Sequence, residues 1–439
     1  MEVSSRGMMT RRALLASVAG AASLIASGPV LSATKLATKA RIVIAGAGAA
    51  GLSAASRLSQ KLDGADIVLI DARKEHYYQP GFTLIAAGLQ PKSYSISLTR
   101  DYLPAGVRLV EDSVAAFEPE QSRVRTAGGE TIGYDFLIVA TGLSLDYAAI
   151  EGMDTALIGR DGIGSVYAGP EAAEATGRLM AQFAETGGVG LFHRPATEMK
   201  CAGAPLKYTF LTDDRLRSTG MRDRSELIYA AQNKVLFSVP IVSEKVRMLF
   251  EDRGVKVRHD HVMTAIDPGR KIATFKTPSG PQQIGFDFVN VVPPMRAPQA
   301  VRASALAWQT GPFAADGWME VDMHTLRHKR FANVFGVGDV AGVPKGKTAA
   351  SVKWQVPVAV DHLVASLAGT TSTAHYNGYT SCPLITAVGR AMLVEFDYEN
   401  NLTPSFPGVI APLEELWVSW VMKKVALKPT YIAMLRGQA

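Results

Sequence analysis

Residues 41–58, RIVIAGAGAAGLSAASRL, decide the fold. Arg41 to Ala45 is a short run with apolar residues at four successive positions, the pattern of a strand buried on both faces. It leads directly into Gly46-Ala47-Gly48-Ala49-Ala50-Gly51, after which Leu52, Ala55, Leu58 and Leu62 recur at helical spacing. A second apolar run, Ile67 to Ile70, ends at Asp71, 20 residues beyond Gly51. Each glycine has its own physical reason. The first turns the chain, the second admits a pyrophosphate close to the backbone, and the third lets helix pack on strand. The helix start offers free N–H groups to phosphate, and an acidic residue at the end of the second strand is placed to hold ribose hydroxyls. The spacing therefore predicts a strand–helix–strand dinucleotide site built on Gly46, Gly48, Ala49, Ala50, Gly51 and Asp71.

A second unit of the same kind is expected further on: a strand in Gly187 to His193, a helix from about Gly203, and a strand at Glu226 to Ala230. A β-rich stretch with turns such as Ala127-Gly128-Gly129 separates the two. With 439 residues the chain suits two or three domains. A net charge of +6 without a concentrated basic stripe argues against nucleic acid and suits contact with anionic lipid. In the tail, Leu413, Leu416, Trp417, Trp420, Val421 and Met422 stand among Lys423, Lys424, Lys428 and Arg436, as in a segment lying on a membrane surface. At the other end, Thr10-Arg11-Arg12 precedes an uncharged alanine- and leucine-rich stretch and Gly28-Pro29. That pattern predicts a twin-arginine signal peptide over 1–33 and a periplasmic location. Two cysteines are present, Cys201 and Cys382. In an oxidising compartment such a pair forms either a structural disulfide or a reactive one.

Two later strings bear on the cofactor. YDFLIVATG (134–142) and NVFGVGD (333–339) are apolar strands ending in Ala-Thr-Gly and Gly-x-Gly-Asp. Together with the glycine fingerprint they resemble the flavoproteins with two dinucleotide-binding domains, the superfamily of the disulfide reductases. The resemblance implies FAD, with Gly338 and Asp339 at its ribityl chain and Lys347, Thr348, Ala349 and Ala350 against the isoalloxazine. It also implies contacts from Gln79, Val114, Ala140, Thr141 and Gly142. No cysteine precedes Cys201, so a non-covalent FAD is expected. GVPKGKT (342–348) imitates a phosphate-binding loop but has Ala341 where the first glycine belongs, and is set aside.

Members of that superfamily that use NAD(P)H carry a second glycine fingerprint. Here the second unit reads HRPATEMKCAGAP (193–205), and bulky residues stand where a pyrophosphate needs bare backbone. No NAD(P)H is expected. A helix beginning near Gly203, together with Lys200, should instead lower the Cys201 thiol pKa. KCAGAP (200–205), YTSCPL (379–384) and HYYQPG (76–81), with VPPM (292–295) and EFDY (395–398), jointly resemble the type II sulfide:quinone oxidoreductases over about residues 40–436. The resemblance implies that Cys382 carries sulfane sulfur as a persulfide and that Cys201 is the thiolate facing the flavin. Lys207 would steady the anion, Glu198 would move protons, and a membrane quinone would take the electrons.

These readings combine into an α/β fold with two Rossmann-like domains. The expected order is the signal (1–33), the first part of the FAD domain (40–155), a second Rossmann-like domain carrying Cys201 (156–297), the second part of the FAD domain (298–385) and a membrane-apposed region (386–439). Sulfide, quinone and an anionic membrane surface are the expected partners, and a homo-oligomer is compatible with the composition. Three alternatives remain. The flavin subunit of a flavocytochrome c is disfavoured by the missing early cysteine, and an NADH:quinone oxidoreductase by the filled second fingerprint. A non-catalytic flavin-binding module is disfavoured by the cysteine pair.

Overall fold

The computed structural model describes residues 34–439; the proposed signal segment 1–33 lies outside the described residues. Strands β1 (Arg41–Ala45), β2 (Asp66–Ile70), β3 (Arg108–Val110) and β4 (Phe136–Val139) begin a parallel sheet, and helix α1 (Ala49–Lys61) crosses from β1 to β2. The chain then builds a second parallel sheet from β5 (Ile163–Gly164), β6 (Gly188–His193), β7 (Ser225–Ala230), β8 (Val255–Arg258) and β9 (Phe288–Asn290), in the order β5-β9-β6-β7-β8. It returns to the first sheet through β10 (Val334–Gly336), giving the order β10-β4-β1-β2-β3. The first sheet is thus completed by a strand far from the others in sequence. In both sheets the apolar strands are covered on both faces, as parallel sheets require.

Helix α2 (Pro170–Thr186) joins β5 to β6, and α3 (Ala204–Ser218) joins β6 to β7. Helix α4 (Ala349–Leu367) follows the loop after β10. An antiparallel hairpin of β11 (Thr380–Ala387) and β12 (Arg390–Phe396) then sets Cys382 opposite Val394 and shares a core with α3. The chain ends in Trp417–Val421, a π-helical turn Met422–Ala426, and a final helix Leu427–Leu435 that packs on α1. Ser56 donates to the Leu435 carbonyl at 2.7 Å, and Arg253 pairs with Glu415 at 2.6 Å.

The tail departs from the simple amphipathic reading. Trp420 is buried against Leu84, Leu211, Ile385 and Ala391, and Lys423 is buried as well. Trp417 and Val425 are the exposed apolar side chains here, at 57% and 62%. A π-helical turn shifts the helical register by one residue, so apolar and charged positions in the linear sequence do not map onto two clean faces. No helix among the described residues is long and apolar enough to cross a membrane.

Candidate active site

At the C-terminal edge of the first sheet, β1 turns through Gly46 (φ +105°), where a Cβ would lie 2.5 Å from the Ala140 carbonyl oxygen. A Cβ on Gly51 would lie 1.7 Å from the Gly46 carbonyl oxygen. A Cβ on Gly48 would meet nothing closer than the Arg73 guanidinium at 4.0 Å. Two of the glycines are therefore required by the protein's own packing, and the third faces open space beside the start of α1. Asp71 accepts from the Ala47 N–H at 2.7 Å and from the Arg73 N–H at 2.8 Å, and pairs with the Arg73 guanidinium at 3.0 Å. Burial works against its charge, but these bonds hold its pKa below the usual carboxylate value.

The other expected cofactor residues gather around the same edge. Ala140 bonds back to the Ala45 carbonyl, and Gly142 (φ +70°) has open space beside it. The Thr141 hydroxyl and the Gln355 amide nitrogen are buried without a hydrogen-bond partner, while the Gln355 oxygen accepts from Gly338 N–H. Gly338 (φ +76°) lies against Ala50. Thr348 caps α4 by accepting from Ser351 N–H, placing Ala349 and Ala350 in its first turn. Val114 is only partly buried, at the edge of the first core. Burial pushes the Asp339 carboxyl up, and Lys200 and Lys347 pull it back. Lys347 does not present a free ammonium: it donates to the Asp339 and Ala341 carbonyls and sits 3.5 Å from the centre of the Trp318 ring. Burial brings its pKa down to about 8.

The cysteines meet at the start of α3. Cys201 has φ +48°, a left-handed conformation uncommon for a residue with a Cβ. Three hydrogen bonds hold it there: its N–H donates to the Lys347 carbonyl at 2.9 Å, and its carbonyl accepts from Ala204 N–H at 2.8 Å and from the Tyr167 hydroxyl at 3.1 Å. A Cβ on Gly203 would lie 2.3 Å from Cys382 Sγ, so glycine is what lets the β11 thiol reach over the turn. Both cysteines are free thiols and hydrogen-bond to one another. That bond from Cys382 draws the Cys201 pKa well below its ordinary value; burial opposes the shift, and Lys207 and Lys423 reinforce it. The same bond, with burial, pushes Cys382 up. The pair is therefore asymmetric, with Cys201 the sulfur whose thiolate is favoured and Cys382 the one held as a thiol more strongly.

Lys207, one turn into α3 and buried, donates to Cys201 Sγ at 3.4 Å. Lys200, expected to act on Cys201, instead donates to Gln79 at 2.6 Å and faces both Asp339 and Cys201. Glu198 is exposed. Two contributors were not visible in the sequence pattern. Tyr167 follows a two-residue strand that carries no motif. Lys423 reads as one more basic residue of the tail, yet its ammonium is buried, donates to the Pro80 carbonyl at 2.8 Å, and has its pKa brought down to about 7 by burial and by Lys207. The HYYQPG string thus anchors both Lys200 and Lys423, while its His76 bonds to Tyr431 at 2.7 Å. Among the described residues no cluster of histidine, cysteine or acidic side chains could hold a metal ion.

Comparison with known proteins places this geometry. The family model described as pyridine nucleotide-disulphide oxidoreductase matches residues 40–179. The mitochondrial sulfide:quinone oxidoreductase of Dictyostelium discoideum is 36% identical, covering 92% of this chain and 88% of its own. The mouse (Mus musculus) protein of the same name is 33% identical, covering 83% and 80%. The chain belongs to the sulfide:quinone oxidoreductase family. A solved sulfide:quinone oxidoreductase from Aquifex aeolicus shares the fold, with a TM-score of 0.73 at 19% identity over 91% of this chain and 92% of that one. The cofactor this family implies is FAD, and the residues fit it: the open face at Gly48, the orphaned Thr141 and Gln355 atoms and the α4 N-terminus converge on one edge. The relatives also correct one expectation. They are named mitochondrial, which overturns a periplasmic location by twin-arginine export. Composition misled here because an arginine-, serine- and alanine-rich start poor in acids serves more than one targeting route.

Proposed function

We propose that this sulfide:quinone oxidoreductase family member oxidises sulfide through Cys201 and Cys382, with Lys207 as the group that holds the thiolate. The observation that carries the reading is the meeting of two cysteines from distant segments, with a buried lysine 3.4 Å from one sulfur. In the oxidised enzyme the two sulfurs form a disulfide. Hydrosulfide attacks Cys382 Sγ, forming a new S–S bond. The Cys201–Cys382 bond breaks, and its electron pair leaves on Cys201 as a thiolate. The asymmetry of the pair supports this direction, because the sulfur that leaves most readily is the one whose thiolate is stabilised. Cys382 is left carrying the sulfane sulfur as a persulfide.

FAD, bound non-covalently, would supply the two-electron acceptor between the cysteine pair and a membrane quinone. Gly46 to Gly51, Asp71, Gly338, Asp339 and Thr348 to Ala350 would hold it, and Cys201 would face its ring. Arg194 and Pro195 follow β6 where a nicotinamide dinucleotide would need bare backbone, which supports sulfide as the donor. Exposed Trp417 and Val425, with Lys424, suit a membrane surface where quinone is dissolved. The division of residues 40–439 into a two-part FAD domain, a second Rossmann-like domain and a C-terminal region belongs to the same proposal.

The test is anaerobic. Sulfide should bleach the visible flavin absorbance of the holoenzyme, and a quinone analogue should restore it. NADH should do nothing, and Cys201→Ser or Cys382→Ser should abolish the sulfide response. Bleaching by NADH, or a sulfide response that survives either serine, rejects the reading.

A further inference from the structure

The final helix, Leu427–Leu435, meets the dinucleotide cradle in two places. It packs on α1, where Ser56 donates to the Leu435 carbonyl, and it sends Tyr431 inward to His76 of the HYYQPG segment. The Tyr431 hydroxyl lies 2.7 Å from His76 Nε2. His76 is 4% exposed and Tyr431 7%. Tyr102 stands edge-on to the imidazole at 5.3 Å, and Tyr78 edge-on to the phenol at 4.9 Å. The proposed sulfide chemistry gives this buried pair no role.

His76 also hydrogen-bonds to the backbone of Ala47, in a manner that favours a proton on the ring. The Ala47 carbonyl is therefore the acceptor. Tyr431 occupies Nε2, which leaves the Nδ1–H for Ala47. Burial is the larger influence and brings the His76 pKa down to about 4, so near neutral pH the imidazole is uncharged and carries one N–H. With that N–H directed to Ala47, Nε2 accepts and the Tyr431 hydroxyl donates. Burial pushes the Tyr431 phenol up and keeps it protonated.

Peptide geometry sets what this chain of hydrogen bonds does. A trans peptide is planar, so the Ala47 carbonyl and the Gly48 N–H point in opposite directions. Holding the carbonyl toward His76 turns the Gly48 N–H away from it. Asp71 holds the preceding peptide through the Ala47 N–H at 2.7 Å. Both peptides flanking Ala47 are thus fixed from outside the turn, and the Gly48 N–H donates to no group among the described residues. Gly48 is also the fingerprint glycine with open space beside it, where a diphosphate is expected.

We propose that His76 and Tyr431 are positioning residues for the FAD diphosphate. Tyr431 orients the imidazole, and His76 holds the Ala47–Gly48 peptide with its N–H presented to phosphate. The final helix is thereby part of the flavin site as well as of the C-terminal region. The assignment rests on the FAD reading above.

The test is flavin release from the holoenzyme, followed as the rise of free-flavin fluorescence after dilution. Turning one N–H away from a phosphate oxygen removes a hydrogen bond to a charged group, so His76→Phe should release flavin about ten- to a hundredfold faster. Tyr431→Phe keeps the ring, removes only the hydroxyl, and should release it severalfold faster. His76→Asn places an amide N–H near the position of Nδ1 and should recover most of the loss. Because Tyr431 acts through His76, adding Tyr431→Phe to His76→Phe should change nothing further. Wild-type release by Tyr431→Phe overturns the proposal, even if His76→Phe does not fold. So do effects of the two substitutions that add in full, or no recovery in His76→Asn. Wild-type protein purified without flavin, and unable to take up added FAD, overturns the FAD reading instead.

Discussion

Replacing Lys207 by methionine tests how the thiolate is held. Its Nζ stands 3.4 Å from Cys201 Sγ and the side chain is 4% exposed, so solvent does little to screen the pair. At an effective dielectric of about 20, unit charges at that separation attract by about 5 kcal/mol. Lys423 remains nearby, and dipoles and water rearrange around the lost charge, so roughly half of that is taken as the net loss. Divided by 1.36 kcal/mol per pKa unit, this raises the Cys201 thiol by about two units. The assay is alkylation of the chemically reduced holoenzyme by iodoacetamide across pH, read at Cys201 by peptide mass. Wild type should react with a midpoint below that of a free cysteine. Lys207→Met should be slower by on the order of ten- to a hundredfold at pH near 6.5, and Lys207→Arg should recover most of the loss. If the Lys207→Met profile overlays wild type at normal flavin content, the lysine does not hold the thiolate. The hydrogen bond from Cys382, with Lys423 beside it, would then account for the lowered pKa.

Three further outcomes follow from the same geometry. Lys423, with its pKa near 7, is charged below that pH and neutral above it; the wild-type alkylation profile should therefore show a second limb near pH 7, the thiolate gaining support as pH falls through it, and Lys423→Met should erase that limb. Gly51→Ala forces a Cβ to 1.7 Å from the Gly46 carbonyl oxygen, overpacking that costs about 1–3 kcal/mol, and the purified protein should show a reduced flavin-to-protein absorbance ratio. Trp417→Ser, removing an exposed side chain, should weaken sedimentation with anionic phospholipid vesicles while leaving sulfide bleaching of the flavin in detergent unchanged.

The halves of the site were legible to different degrees. Gly46, Gly48, Gly51 and Asp71 announce themselves because a tight turn, a close backbone approach and a strand end each demand one residue type at a fixed interval. The structure separates their duties: Gly46 and Gly51 are confined by the Ala140 and Gly46 carbonyls, and Gly48 alone is open. Cys201 was visible beside a helix start, but its left-handed backbone and the reach of Cys382 over Gly203 were not. The tail was read least well. Its lysines and tryptophans look alike in a linear string, and a π-helical turn sends Lys423 and Trp420 inward while Trp417 and Val425 stay outside.

Local order, then, fixed the parallel α/β units, the dinucleotide cradle and the candidate cysteines, because these depend on residues within a few turns of one another. The placement of Cys382 beside Cys201, the choice of Lys207 and Lys423 over Lys200 as the cations acting most on the thiolate, and the pairing of His76 with Tyr431 depend on tertiary structure. Each joins segments distant in the chain, and their distances and burial are set by how sheet, hairpin and terminal helix pack, which no spacing in the sequence encodes.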